Sequence, residues 1–142
     1  MHAYYFSAHW CGPCKQFTPL LAEFYNGLRD AGVAREDFEI FFVSSDRSED
    51  QFQSYRSTMP WDALAFEDTA KKMELVKQFG VSSIPTLVVA SAARVAGTTN
   101  RMVASLTGRD DVVGAAGRPA TELYARWKRQ LAEPEPGEII SG

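Results

Sequence analysis

A Cys-Gly-Pro-Cys segment, from Cys11 to Cys14, separates two stretches of different hydrophobic periodicity and constrains the fold more than any other part of the chain. The short aromatic run before it, residues 3–6, predicts a buried strand. After it, apolar residues recur at helical spacing over residues 17–28 and predict an amphipathic helix. The cysteines therefore fall in the first turn of a helix, and Pro13 occupies a position where helices tolerate proline.

The start of a helix is a favourable place for a reactive cysteine. The first backbone N–H groups of a helix have no partner within it, and the helix dipole favours a negative charge there. A thiolate is the nucleophilic form of cysteine, and surroundings of this kind lower the pKa of a thiol. The position of Cys11 and Cys14 thus indicates chemistry at this segment.

Cys11 and Cys14 are the only cysteines of the chain, and three kinds of use can be weighed. A bridge between them would close a very short loop and restrain the unfolded chain little, which disfavours a purely structural disulfide. A structural zinc site needs four ligands, but no second Cys-x-x-Cys pair is present, and His2 and His9 both lie beside the first pair. The sequence therefore favours a redox-active dithiol and no metal site.

The composition excludes several other classes of function. The chain has 142 residues and a formal net charge of −3, without a long block of either sign, so neither nucleic acid nor a membrane surface is an expected partner. No apolar stretch approaches the roughly 20 residues that span a bilayer. The start of the chain lacks the charged and hydrophobic regions of a secretory signal, which favours a cytoplasmic protein.

The pattern along the chain predicts one alternating α/β domain over residues 1–132. Residues 133–142 are expected to be a disordered tail, because their Pro- and Glu-rich start cannot bury apolar surface. Residues 97–117 are expected to be mostly loop. The expected elements are strands at residues 3–6, 38–43, 87–90 and around Val95, and helices at residues 11–30, 48–56, 70–79 and from Pro119 onward.

Several short segments occur here in a fixed order: YFSAHWCGPC (residues 5–14), FTPL (17–20), VSSDRSE (43–49), MPW (59–61) and IPTL (84–87). Together they resemble the nucleoredoxin and tryparedoxin branch of the thioredoxin-like family, over roughly residues 4–101. The segment 43–49 is closer to nucleoredoxins, because tryparedoxins commonly carry a tryptophan at the place of Ser45. The pair Gly12-Pro13 matches thioredoxin itself, whereas Pro-Pro is usual in both branches.

The resemblance implies a thioredoxin-like α/β fold and a thiol–disulfide oxidoreductase that works mainly as a protein-disulfide reductase. In this family the first cysteine attacks a substrate disulfide and the second resolves the mixed disulfide, and these roles fall on Cys11 and Cys14. No metal, nucleotide or flavin cofactor is implied. The implied partners are disulfide-containing proteins, such as a peroxiredoxin, and an electron donor: trypanothione, glutathione or a reductase protein.

The resemblance also predicts where a substrate binds. Ile84-Pro85 corresponds to the family's cis-proline, which faces the dithiol. Asp46 and Arg47 fall at family positions near the mouth of the site, and Tyr5 stands where thioredoxins carry a buried acid, so we expect a packed phenol there. The expected substrate-binding residues are Trp10, Gly12, Pro13, Ile84, Pro85 and Arg101.

Two other functions remain open at this point. An oxidase or isomerase would use the same dithiol, although Gly12-Pro13 is the pair of reducing thioredoxins. A thioredoxin-fold binding or redox-regulatory interaction module would bind a partner without catalytic turnover.

The expected sheet has about four strands. Relatives carry an additional N-terminal strand before the strand at residues 4–7, and this sequence leaves no room for it. Residues 38–43 would then lie at an edge of the sheet. Because an apolar, unpaired edge strand invites pairing with another chain, self-association is an expected property.

Overall fold

The protein, represented by a computed structural model, is described over residues 1–94 and 100–131, with the backbone alone for residues 92–94 and 100–103. Strands and helices alternate along most of it. The strands are β1 (His2–Ser7), β2 (Glu39–Ser44), β3 (Asp62–Ala63), β4 (Thr86–Arg94) and β5 (Asn100–Ser105). The helices are α1 (Gly12–Asp30), α2 (Glu49–Arg56), α3 (Thr69–Phe79), α4 (Gly108–Gly114) and α5 (Ala120–Gln130).

The five strands form one mixed sheet in the order β3-β2-β1-β4-β5. β1 lies in the centre, where Tyr5 pairs with Phe42 of the parallel β2 and with Leu87 of the antiparallel β4. β4 and β5 are antiparallel, with Val89 opposite Ser105. The central strand therefore leads directly into the segment that carries the two cysteines.

Side chains of β1 alternate between two apolar cores, as the two-residue period of a strand requires. Tyr5 lies in the larger core, which α1, α4 and α5 help to form, and Phe6 lies in the smaller core beside α3. In the larger core, the fully buried Trp127 meets Phe24 edge-on, with ring centroids 5.2 Å apart, and stacks on Phe38 at 6.0 Å. β1 is thus covered on both faces, which gives the dithiol a rigid support.

The helix boundaries follow the expected signals. α1 runs through Pro19 and is followed by Gly32, whose φ of 89° lies in the left-handed region. At the start of α2, the Ser48 hydroxyl accepts a hydrogen bond from the Gln51 N–H at 3.2 Å. α3 ends at Gly80, with φ of 66°. The first three helices therefore confirm the periodicity and capping pattern of the sequence.

The expected four-stranded sheet with residues 38–43 at its edge is wrong, because β3 adds a fifth strand. Asp62 and Ala63 pair in parallel with Phe41 and Phe42, and the Leu64 N–H donates to the Phe42 carbonyl at 2.9 Å. A strand of two residues carries no detectable alternation of apolar and polar side chains. Its existence depends on the tertiary contact with β2 and not on its own sequence.

The expectation of loop over residues 97–117 is also wrong where the structure describes them. β5 and α4 occupy much of this stretch, and Val112 of α4 is buried in the larger core. The expected strand near Val95 lies outside the described residues, although β4 itself continues to Arg94. The proposed tail, 133–142, also lies outside them and stays a prediction. Over residues 1–94 and 100–131, no helix combines the length and the hydropathy needed to cross a membrane.

Candidate active site

The two cysteines lie at the start of α1 and form a disulfide, with their Cα atoms 5.2 Å apart. Cys11 is the N-cap of the helix, and its Sγ accepts a hydrogen bond from the Cys14 N–H at 3.3 Å. Cys11 retains 7% exposure, whereas Cys14 is fully buried. Gly12 and Pro13, in the first turn between them, are exposed. Cys11 is therefore the more exposed residue of the pair, and it lies at the positive end of the helix dipole.

Ile84 and Pro85 immediately precede β4. The peptide bond between them is cis, as the resemblance implied. The Ile84 side chain packs against the small cluster formed by Ala8, Cys11 and Cys14. The fold thus brings together residues that are more than 70 positions apart in the sequence.

Trp10 lies beside the dithiol with 49% of its surface exposed. Its indole Nε1–H donates to the Ser45 carbonyl at 3.2 Å, and the Arg47 guanidinium lies 5.2 Å from the centroid of the ring. Trp10 and Arg47 therefore both lie at the surface, and their contact with a substrate stays a prediction.

Asp46, by contrast, is buried, with 7% exposure. Its carboxylate accepts hydrogen bonds from the His9 N–H and the Ser44 hydroxyl, each at 2.7 Å. Burial lowers the pKa of the nearby Lys72 ammonium, and attraction to Asp46 opposes that shift. Because donors of the protein itself use the carboxylate of Asp46, this residue acts in the architecture of the loop and is not available to a substrate.

Four buried or partly buried hydroxyl groups form a cluster behind Cys14. The Thr18 hydroxyl donates to the Cys14 carbonyl at 2.9 Å and lies 2.7 Å from the Tyr5 hydroxyl and 2.8 Å from that of Tyr55. The Tyr55 hydroxyl in turn lies 2.8 Å from the Ser7 hydroxyl. Burial raises the pKa of Tyr5 far above its usual value, so the phenol stays neutral. Tyr5 is therefore a packed phenol, as expected.

The sequence did not single out Thr18 or Tyr55 as parts of the site. Thr18 lies within the FTPL segment, so a signal was present, but Tyr55 is 37 residues away from it and reaches it only through tertiary packing. Arg109 of α4 was also missed, and its Nη1 donates to the Pro85 carbonyl at 3.4 Å. Arg109 comes from the stretch that was expected to be loop.

Contact with a substrate stays a prediction for all six expected binding residues, and the structure describes least of Arg101. The backbone places it in β5, opposite Ala93 of β4, and its side chain lies outside the described part of the structure. Metal-ligand side chains give no further candidate site: in the described residues, no three or more His, Cys, Asp or Glu side chains cluster so that they could hold an ion.

Comparison with known proteins identifies relatives of this chain. A profile described as thioredoxin-like matches residues 1–93. Nucleoredoxin from Bos taurus is 49% identical over 85 residues, which are 60% of this chain and 19% of that protein. Tryparedoxin from Trypanosoma brucei brucei is 48% identical over 88 residues, which are 62% of this chain and 58% of that protein. The solved structure of tryparedoxin II complexed with glutathionylspermidine has a TM-score of 0.63 and 35% identity, covering 83% of this chain and 77% of that one.

These matches differ in how much of the relative they cover. The chain spans about a fifth of the length of the nucleoredoxin and somewhat more than half of the length of the tryparedoxin. The family profile, however, covers most of the chain and includes the dithiol and the cis-proline. The chain therefore belongs to the thioredoxin-like family, where its relatives include the nucleoredoxins and tryparedoxins, which are thiol oxidoreductases.

Proposed function

We propose that this protein is a protein-disulfide reductase in which Cys11 is the nucleophile and Cys14 the resolving thiol. One observation carries the proposal: Cys11 caps α1, its Sγ accepts a hydrogen bond from the Cys14 N–H, and Cys11 is the more exposed residue of the pair. A negative charge on this sulfur would be stabilised by the same N–H group and by the helix dipole. Cys14 lies three residues further along and is fully buried, so its thiol would attack Cys11 only after a mixed disulfide has formed.

The reaction consists of two thiol–disulfide exchanges. The Cys11 thiolate attacks one sulfur of a substrate disulfide, forms a mixed disulfide and releases the other substrate sulfur as a thiolate. Cys14 then loses its proton and attacks the Sγ of Cys11, which breaks the mixed disulfide and releases the second substrate thiolate. The substrate gains two electrons and two protons, and Cys11 and Cys14 are left as the disulfide. An external dithiol reduces this disulfide and is itself oxidised.

The substrate would contact the surface around Cys11. Ile84 and the backbone beside Pro85 offer an extended segment a place to pair, in the manner of strand addition. Trp10, next to Cys11 in the chain, contributes an exposed aromatic surface. The proposed substrate-binding residues are Trp10, Gly12, Pro13, Ile84, Pro85 and Arg101.

The identity of the partners is part of the same proposal. One relative, a tryparedoxin II, has been solved in complex with glutathionylspermidine, which supports a small thiol as electron donor for this chain too. We further propose a disulfide-containing protein, such as a peroxiredoxin, as the substrate. The proposed location of the protein is the cytoplasm, where thiols are kept reduced and dithiols of this kind serve catalysis. The proposed role of the protein there is in cell redox homeostasis.

Serine variants of the two cysteines test the assignment of roles. Reduction of insulin disulfides, driven by an added dithiol, should be lost in Cys11→Ser without a stable adduct. Cys14→Ser should still attack but accumulate a mixed disulfide with the substrate, because the resolving thiol is missing. The adducts can be counted by mass spectrometry on non-reducing samples, and adducts on Cys14 in the Cys11→Ser variant would reverse the assignment.

The same variants separate the reductase from an interaction module. Partners bound by a module without turnover would still bind when both cysteines are replaced by serine. For a reductase, binding of these partners should be lost in the double variant together with insulin reduction. Offering the oxidised wild-type protein trypanothione, glutathione or a reductase separately, and following free thiols, would identify the donor.

A further inference from the structure

We propose that residues 44–47, the end of β2 and the start of the loop that leads to α2, hold Trp10 beside the dithiol and that Arg47 is the positioning residue for the indole ring. This inference rests on the proposed function, because it takes the ring of Trp10 as the surface that a disulfide substrate meets. We call residues 44–47 the clamp loop.

The clamp loop is fixed by its own hydrogen bonds. The Ser44 hydroxyl donates to the Asp46 carboxylate at 2.7 Å, and the Asp46 N–H donates back to the Ser44 hydroxyl oxygen at 2.9 Å. Both side chains are buried, where a hydrogen-bonded polar pair is costly to disturb. The Arg47 N–H donates to Gln51 Oε1 at 3.3 Å and ties the end of the loop to α2. The loop is therefore a rigid platform.

The clamp loop forms three hydrogen bonds with the residues that precede Cys11. The Ser45 N–H donates to the Ser7 carbonyl at 2.9 Å, which continues the pairing of β2 with β1. The His9 N–H donates to the Asp46 carboxylate at 2.7 Å. The Trp10 indole N–H donates to the Ser45 carbonyl at 3.2 Å. The backbone and one edge of the indole are thereby held, but a single hydrogen bond leaves the ring free to tilt about it.

Arg47 supplies the contact that fixes the plane of the ring. Its guanidinium carbon lies 5.2 Å from the centroid of Trp10, within the range of a cation–π interaction, while half of the Trp10 surface remains exposed. An aromatic surface that is already oriented loses less freedom when a partner binds. The contact of Arg47 should therefore lower the KM for a protein disulfide without changing the chemical step at Cys11.

A second arginine that lies over an aromatic ring, Arg56, allows a controlled test. Arg47→Ala removes the contact, and Arg47→Lys keeps a cation that can lie over the ring. Arg56→Ala is the control, because the Arg56 guanidinium lies 5.8 Å from the ring centroid of Phe52 and the same charge is lost. Acrylamide quenching of tryptophan fluorescence reports mainly on Trp10, since Trp61 and Trp127 are buried.

We expect Arg47→Ala to raise the quenching constant and to raise the KM for insulin about two- to fivefold at unchanged kcat, the size of one exposed cation–π contact. Arg47→Lys should restore most of both values, and Arg56→Ala should change neither. Equal effects in Arg47→Ala and Arg56→Ala, or none in either, would overturn the inference. If the wild-type protein does not reduce insulin, the proposed function fails, but the quenching comparison still decides whether Arg47 positions the ring.

Discussion

Tyr5 determines what the buried side of this site can do with protons. The resemblance puts an acid at this place in thioredoxins, whereas here burial keeps the phenol neutral by raising its pKa. The Tyr5 hydroxyl lies 2.7 Å from that of Thr18 and donates to the Cys14 carbonyl at 3.3 Å. Its partners are thus a hydroxyl and a backbone carbonyl. We interpret Tyr5 as a support for the backbone of the resolving cysteine.

Replacing Tyr5 with phenylalanine tests this interpretation. Tyr5→Phe should lower the free energy of unfolding by about 1–2 kcal/mol, because one buried hydrogen-bonded hydroxyl is lost, and should leave the pH profile of insulin reduction unchanged. Tyr4→Phe is the matched control, since Tyr4 faces the other core and stacks on Phe79. Urea titration and activity between pH 6 and about pH 9 provide the measurements. A shifted pH profile in Tyr5→Phe would mean that the phenol carries a proton in the reaction.

At the scale of single elements, the sequence was most informative where the signal is local. The start of α1 at the dithiol, the cap of α2 at Ser48 and the end of α3 at Gly80 each depend on residues within one helical turn. β3 was missed because it exists only through its pairing with β2, from which α2 separates it in the chain. β5 pairs with the neighbouring β4, but it was missed because its stretch of the sequence has few apolar residues at a regular spacing. The same distinction applies to the site. Its cysteines are three positions apart in the sequence, whereas the hydroxyl of Tyr55 reaches Thr18 from another helix.

The sequence also missed α4, whose packing against β4 can be tested by a substitution at Gly108. A Cβ added to Gly108 would lie 2.6 Å from the Leu87 carbonyl oxygen and 2.9 Å from Leu87 Cγ. Because the nearer atom belongs to the backbone of a central strand, the helix would have to move. Gly108→Ala should therefore lower the free energy of unfolding by about 1–3 kcal/mol, the usual cost of overpacking.

The other end of α4 provides the control. A Cβ on Gly114 meets no atom within 4 Å, so Gly114→Ala should leave the free energy of unfolding unchanged or raise it slightly. Urea titrations of both variants make the comparison. Two variants of equal stability would show that α4 does not pack against β4 through Gly108.

For the whole molecule, the fifth strand changes the expectation about association. Self-association was predicted from an apolar strand at residues 38–43 without a neighbour, and β3 now pairs with Phe41 and Phe42. β3 is short and carries Asp62, whose side chain is 63% exposed. Short, charged edge strands are a common protection against pairing with another chain. The argument for self-association at β2 is therefore lost where β3 covers it.

A buried carboxylate, that of Glu39, links β2 to α1 and to the loop between them. Glu39, at the start of β2, has 6% exposure and accepts hydrogen bonds from the Tyr25 hydroxyl at 2.8 Å and from the Ile40 N–H at 2.9 Å. Arg35 forms an ion pair with it at 2.6 Å, and Arg29 at the end of α1 lies 3.5 Å away. Burial opposes the ionisation of Glu39, but these donors outweigh it and hold the pKa of the carboxyl below its usual value.

The lowered pKa of Glu39 makes stability depend on pH in a defined direction. A carboxyl whose pKa is lower in the folded than in the unfolded chain contributes stability above its unfolded pKa of about 4.3. That contribution is lost as the pH falls through the folded pKa. We therefore expect Glu39→Gln to destabilise the protein at pH 7 and the difference from wild type to shrink steadily below about pH 4.

Urea titrations of both proteins at a series of pH values, read as the difference in the free energy of unfolding, isolate Glu39 from the other carboxylates. Glu36→Gln is the control, because Glu36 is exposed in the turn just before β2, and the substitution should change the free energy of unfolding little at any pH. A difference for Glu39→Gln that stays constant from pH 7 down into the acid range would mean that the native hydrogen bonds do not favour the ionised carboxylate. In that case the contribution of Glu39 would come from packing, and the ion pair with Arg35 would add nothing to the stability of the fold.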